Sequence, residues 1–343
     1  MHRIRFAVIG LNHGHIYSQV DALAAAGGQL ASFFAAEEDL CTKFMARYPG
    51  ARRARAPAEI LEDPSIALVA SAAINCQRAA LGLAVMRHGK DFMVDKPGFT
   101  TLEQLAEARS VQAETGRIYS VDFCERFHHP ATVRAGELVA AGAIGRVVQT
   151  IGLGPHRANV SSRPAWFFRK REYGGILADI ASHQLDQFLW FTGSTRAEIV
   201  AAHWGNFRFP DYPEMEDFGD LTVRGDGGTG YARVDWLTPD GLDTWGDGRL
   251  TILSTEGFIE IRKNCDLAGR PGGNHLFLVD HAGTSYFDCA GHPCPYAAQL
   301  IDDILNRTET AMPQQHCFLA SQLALEAQRQ ARTVSGRGMQ GGT

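Results

Sequence analysis

The sequence predicts an α/β protein: a doubly wound parallel sheet first, then an α+β domain with a largely antiparallel sheet. Three observations predict it. Up to Asp122, short apolar runs alternate strictly with helix-like stretches; beyond Asp122 that alternation stops; and from Glu198 strand-like runs follow one another across Gly, Asp and Pro turns. Strict alternation needs crossover connections and hence parallel pairing, whereas strands joined by short turns pair antiparallel. A chain of 343 residues is also too long for one ordinary core. The expected division is 1–122 and 123–335, with a frayed tail over 336–343.

In order, Ile4–Ile9, Leu30–Phe34, Ala67–Ala73, Phe92–Val94 and Ile118–Val121 read as strands. Ile16–Ala26, Leu40–Arg47, Arg78–His88 and Leu102–Glu114 read as the helices between them. Such a sheet binds ligands at the carboxyl ends of its strands. In the second part a helix is expected near Pro130–Ala141, a turn at Gly142–Gly145, a strand over Arg146–Leu153 and a helix over Ile176–Trp190. The strands expected after it are Glu198–Trp204, Gly219–Val223, Gly230–Trp236, Leu250–Ser254, Phe258–Arg262 and Leu276–Val279. Helices over Tyr296–Asn306 and Phe318–Thr333 close the chain.

Composition narrows the function. A hydrophobic fraction of 45% with 21% charged residues is that of a globular protein, and no segment approaches the ~20 apolar residues of a membrane helix. The net charge of −5 provides no footprint for nucleic acid. The seven cysteines are odd in number and scattered, which suits reduced thiols and a cytoplasmic location. The N-terminus runs straight into a strand, so no secretion signal is expected.

The turn after the first strand reads Gly10-Leu11-Asn12-His13-Gly14-His15, a G-x-G-x-x-G pattern with Asn12 and His15 in place of glycines. A loop there, opening a helix, lets backbone amides approach a pyrophosphate. The acid expected at the end of the second strand is displaced to Glu37. With no arginine set for a 2′-phosphate, NAD is expected ahead of NADP.

Two stretches carry chemistry: Val94-Asp95-Lys96-Pro97 at a strand end, and Gly174-Gly175 through Asp179 and His183 to Asp186 entering a helix. Asp179 and His183, four apart, would share a helix face, with Asp186 near the same stripe. A metal-free alcohol dehydrogenase needs a base for the hydroxyl proton and a donor or cation at the oxygen as hydride leaves. His183 fits the first role and Lys96 the second; Asp179 would orient or charge-tune one of them. Arg126, His156, Arg157, Trp166 and Tyr173 are candidates for gripping hydroxyls. The polar-aromatic loop Trp245–Arg249 is left open between substrate and neighbouring-subunit roles. His13, His15, Asp179, His183 and Asp186, or Cys289, His292 and Cys294, lack the repeated close pairs of a zinc site, so no metal is expected.

On these residues the chain resembles the glucose-fructose oxidoreductase/inositol 2-dehydrogenase (Gfo/Idh/MocA) family. The matching pieces are Gly10–Tyr17, Asn75, His88-Gly89-Lys90, Asp95-Lys96-Pro97, Arg126-Phe127-His128, Gly142–Gly145 and Gly174–Asp186. The resemblance implies an N-terminal Rossmann domain and a C-terminal sheet domain that walls the substrate and often forms the oligomer interface. It also implies a catalytic set at Lys96, Asp179 and His183, with the dinucleotide on Gly10, Asn12, His13, Gly14, His15, Glu37, Asn75, Asp95 and Lys96. The expected activity is hydride transfer between a sugar, inositol or polyol and NAD(P), in a homo-oligomer, dimer or tetramer. Asp95 departs from the family's Glu, and Arg78 stands where many members have His. Two alternatives stay open: a non-catalytic dinucleotide sensor, and an enzyme using tightly bound NAD only transiently.

Overall fold

In β1 (Ile4–Ile9) every residue but Arg5 is buried, the pattern of a strand covered on both faces. The computed structural model describes residues 3–334, so the expected tail 336–343 lies outside the described residues. One unit runs to Asp122 and takes in Pro295–Phe318; the other holds Phe123–Cys294 and the described residues from Leu319.

In the first unit β1 is followed by α1 (His15–Ala25), β2 (Gly28–Phe34), α2 (Glu38–Arg47), β3 (Arg52–Arg53) and α3 (Ala58–Leu61). Then come β4 (Leu68–Ser71), α4 (Asn75–Arg87), β5 (Asp91–Asp95), α5 (Leu102–Thr115) and β6 (Tyr119–Asp122). Helix α1 buries Ile16, Val20 and Leu23, one apolar stripe at helical spacing. Helix α5 begins where the Thr101 side chain accepts from Gln104 N and ends at Gly116 in the left-handed region. The six strands are all parallel, in the order β3-β2-β1-β4-β5-β6. Strand order reverses between β1 and β4, so the turns after β1, β4 and β5 gather where such sheets bind ligands.

Gly10 makes the first of these turns possible. Its φ is +89°, and a Cβ there would come 2.6 Å from Ala73 Cβ and 2.8 Å from Ala73 Cα. Gly10→Ala is therefore expected to destabilise the protein by more than the ~1–2 kcal/mol of a left-handed alanine alone. An unchanged midpoint of chemical unfolding would show that the turn moves off Ala73 at no cost.

The second unit contains α6 (Cys124–Phe127), α7 (Pro130–Ala140), β7 (Val147–Pro155), α8 (Lys170–Tyr173), α9 (Ile176–Asp179) and α10 (Ala181–Thr192). Strands β8 (Ala197–Gly205), β9 (Phe218–Gly225), β10 (Thr229–Asp235), β11 (Arg249–Ser254), β12 (Gly257–Arg262), β13 (His275–Asp280) and β14 (Gly283–Asp288) follow. Later in the chain come α11 (Tyr296–Asn306), which belongs to the first unit, α12 (Gln314–Gln330) and β15 (Arg332–Thr333). The nine-stranded sheet runs β14-β13-β12-β11-β7-β10-β9-β8-β15; only the β7–β10 and β8–β15 pairs are parallel. One face is apolar: Leu250, Ile252, Ile259, Ile261, Leu276 and Leu278 pack with Ala131 and Ala135 of α7. Along the same face α10 packs on β7, β9 and β10. Only Trp190 and Thr192 of that helix escape burial.

Three local expectations change. The helix expected over 176–190 breaks at Ile180 into α9 and α10. Strand β14 was not expected, since its exposed edge carries no apolar alternation. Residues 295–318 belong with the first unit: Arg307 pairs with Asp91 at 2.7 and 2.8 Å, Tyr296 meets Ser120 at 2.7 Å, and Gln314 accepts from Tyr119 N at 2.8 Å. An amphipathic pattern shows that a helix has a buried face, not which sheet it covers.

Candidate functional sites

In the first unit the turn after β1 is pinned at three points. Gly10 N donates to Phe34 O, His13 N donates to Ala72 O, and Asn12 Nδ2 donates to Glu37 Oε1 at 2.7 Å. The displaced acid is thus held against the turn by the residue that replaced the second glycine. Asn75 is buried in the first turn of α4.

Asp95 ends β5, 1% exposed, and gathers the histidines of the turn. His13 Nδ1 lies 3.0 Å from Asp95 Oδ2 and His15 Nδ1 lies 2.9 Å from Oδ1. Arg78, also buried, reaches Oδ2 at 3.2 Å while donating to the carbonyls of Ala73, Asp95, Lys96 and Pro97. It fixes the segment that carries Lys96, itself 5% exposed, across a cis Lys96–Pro97 peptide. Burial pushes the Asp95 carboxyl up, but His15, Arg78 and His13 together hold it well below the usual range. Burial and the neighbouring His15 push the His13 imidazole down to about 4, against the pull of Asp95.

In the second unit the Gly174-Gly175 pair has φ of +95° and +94°, a conformation that favours glycine. A Cβ on Gly175 would lie 2.2 Å from Gln328 Cδ. That close approach is used: Gln328 Oε1 accepts from Leu177 N at 2.9 Å and Glu216 Oε2 accepts from Ile176 N at 2.8 Å. Two side chains thus satisfy the open amides at the start of α9. The break at Ile180 follows, with Ser182 Oγ donating to Asp179 O at 3.1 Å. Asp179 therefore ends α9 and His183 lies in the first turn of α10, on two short helices rather than the single one expected. Both residues are buried. Cys124 Sγ lies 3.8 Å from His183 Nε2, and the Phe123 ring stands edge-on to the imidazole.

Below His183 lies a buried polar group that no sequence motif announces. Glu125 Oε2 accepts from Lys263 Nζ, from Gln184 Nε2 at 3.0 Å and from Gln187 Nε2 at 3.3 Å. Lys263 also donates to Gln187 Oε1 at 2.9 Å. Burial raises the Glu125 carboxyl, but the Lys263 ammonium, with smaller contributions from His183 and His156, brings it well below its ordinary value. A separation of 138 positions along the chain hides the Glu125–Lys263 pair from any spacing argument. Arg163 was missed too: it stacks over Phe167 and Trp236, and Asp179 opposes the burial that lowers its pKa.

The expected hydroxyl-gripping residues divide. Arg126 forms a buried two-pronged pair with Asp186 at 2.7 and 2.8 Å, so Asp186 serves Arg126 rather than joining a stripe with Asp179. The Tyr173 hydroxyl is engaged by Glu214 O and Glu216 N, both at 3.1 Å. Arg157 ties down the 237–242 loop through Pro239 O and Leu242 O. His156 is half-buried against Trp236 and Trp245, which places the Trp245–Arg249 loop over it. Trp166 is half-buried beside Phe167. Among the described residues Cys289, His292 and Cys294 do not converge; His292 instead pairs with Glu137 at 2.9 Å.

Comparison with known proteins supports both halves. Residues 4–123 match the oxidoreductase family described as an NAD-binding Rossmann fold, and residues 132–260 match the GFO/IDH/MocA C-terminal domain. The chain is 48% identical to a proposed oxidoreductase from Erwinia carotovora atroseptica SCRI1043, whose structure superposes with a TM-score of 0.94 over 97% of this chain and 100% of that one. It is 27% identical over 293 residues to scyllo-inositol 2-dehydrogenase (NAD(+)) from Bacillus subtilis (strain 168), covering 83% of this chain and 79% of the relative. A levoglucosan dehydrogenase in complex with NADH and levoglucosan shares the fold at a TM-score of 0.81 and 17% identity, over 96% of this chain and 97% of that one.

Proposed function

The chain belongs to the Gfo/Idh/MocA family of NAD-binding oxidoreductases, and from that premise we propose that it oxidises a secondary alcohol of a sugar, inositol or polyol, using Lys96, Asp179 and His183. One observation carries the reading: His183 is buried, fixed in the first turn of α10, and backed by the charge of Glu125. His183 is placed to take the hydroxyl proton, with the charged Glu125 carboxylate among its neighbours. Lys96 donates to the substrate oxygen as negative charge develops there. NAD, held along Gly10, Gly14 and Glu37, would supply the hydride acceptor, so that alcohol would yield ketone, reduced cofactor and one proton. Asp179 positions the reacting groups, with Arg163 balancing its charge.

Glu37, held by Asn12, supports NAD over NADP, because its carboxylate can accept from ribose hydroxyls and repels a 2′-phosphate. Gly10, Gly14 and the amides opening α1 would lie along the diphosphate. For the substrate wall, His156 and Trp166, half-buried among aromatic rings, are favoured over Arg126 and Tyr173. The exposed Ile151, Tyr231, Leu253 and Phe258 of the large sheet support a homo-oligomer joined through that surface. Seven free thiols support a cytoplasmic location; no helix among the described residues is long and apolar enough to cross a membrane.

The test is reduced-nicotinamide absorbance with NAD and with NADP across a panel of inositols, sugars and polyols. Turnover is expected with NAD on at least one of them. Cofactor binding with no net turnover on any compound would replace this reading with a sensor or with transient oxidation by retained NAD.

A further inference from the structure

The geometry points to a divalent transition-metal site in the first unit, formed by His13 Nδ1, His15 Nδ1 and the Asp95 carboxylate. These three come from the turn after β1, the first residue of α1 and the end of β5, and their ligand atoms all lie within 4.8 Å of one another. The two histidine–carboxylate spacings, 3.0 Å from His13 to Oδ2 and 2.9 Å from His15 to Oδ1, are close to the ~3.0–3.4 Å that separates two ligands each bonded at ~2.0–2.2 Å to one ion, so the carboxylate would meet the ion through both oxygens. Little rearrangement is needed beyond moving each Nδ1 proton to Nε2.

The surroundings match what a metal ligand set requires. Asp95 is oriented by Arg78, which shares Oδ2 with His13 and leaves Oδ1 beside His15; such outer partners fix a ligand's direction. The His13 and His15 side chains are 27% and 34% exposed, so water can complete the coordination. Charge selects the class of ion. Arg78 and the amino end of α1 both repel a cation, so binding depends on bonds to imidazole nitrogen. Zinc, cobalt and nickel gain from such bonds, whereas magnesium and calcium, which prefer oxygen, do not. The His-x-His spacing alone does not assemble this site. His13 sits on the turn and His15 opens α1, and the third ligand arrives from residue 95 only once β1, β4 and β5 are side by side.

This inference goes beyond the oxidoreductase reading and does not rest on it. Its test uses the full-length protein freed of metal by chelation, with neither dinucleotide nor substrate present. Zinc chloride is titrated calorimetrically and cobalt chloride by visible absorption, for wild type, His13→Ala, His15→Ala and the double variant. The expected result is one zinc per chain, a cobalt band of four- or five-coordinate type, loss of more than about tenfold in affinity for each single variant, and no heat with magnesium. Circular dichroism on each variant confirms that it is folded; if one is not, His15→Asn, at a half-exposed position, takes its place. Absence of zinc binding to wild type, or equal binding to the double variant, overturns the proposal.

Discussion

Replacing His183 by alanine is expected to lower turnover by about 10²–10⁴-fold while leaving the dissociation constant for the dinucleotide unchanged. The two effects separate because the residues differ in kind. His183 offers an imidazole in the first turn of α10, whereas the turn read as the dinucleotide site offers backbone amides and Glu37. Its imidazole is packed against Phe123 and Cys124, so alanine leaves a small gap and removes a proton acceptor without disturbing the sheet. Stopped-flow turnover and fluorescence titration of reduced cofactor measure the two quantities. If His183→Ala turns over at the wild-type rate, the base lies elsewhere and Asp179 is the next residue to replace.

Lys263→Met is expected to destabilise the protein by about 3–5 kcal/mol, because it leaves the buried Glu125 carboxylate without its ammonium. Restoring neutrality with Lys263→Met/Glu125→Gln should recover much of that loss, since a glutamine can still meet Gln184 and Gln187. The pH dependence gives a second reading. A carboxyl held below its unfolded value contributes stability that is present above about 4.5 and lost as pH falls towards the folded value. In Lys263→Met burial instead pushes Glu125 upward, so the carboxyl can take up a proton within the fold. The gap between wild type and variant should therefore be widest near neutral pH and narrow in acid. Chemical unfolding at several pH values measures it, and a gap independent of pH would show that lost packing, not charge, sets the cost.

Much of the architecture was legible because periodicity is local. The alternation up to Asp122 encoded five of the six parallel strands and their crossovers, the two-residue β3 having no apolar run to mark it; the run of strands after Glu198 encoded most of the large sheet. The Gly174-Gly175 pair was legible as a marker, although its reason, two residues of positive φ with Gly175 close against Gln328, was not. The helix break at Ile180 was hidden, because the apolar pattern continues across it and only the capping and turn bonds mark it. Arg126 looked like a substrate ligand because its motif is polar and aromatic; its partner Asp186, 60 residues on, makes it structural.

By itself the sequence determined the two kinds of sheet, the turns at strand ends where a dinucleotide would lie, and the family to which the chain belongs. Those features depend on residues near one another in the chain, where helical and strand periods and glycine positions act directly. Tertiary structure alone decided which side chains share a charge. Asp95 gathers His13, His15 and Arg78; Lys263 neutralises Glu125 beside α10; and residues 295–318 return to the first unit. The physical reason is that electrostatic and metal-ligand interactions act over a few ångströms of space, and separation along the chain does not record which residues folding brings within that range.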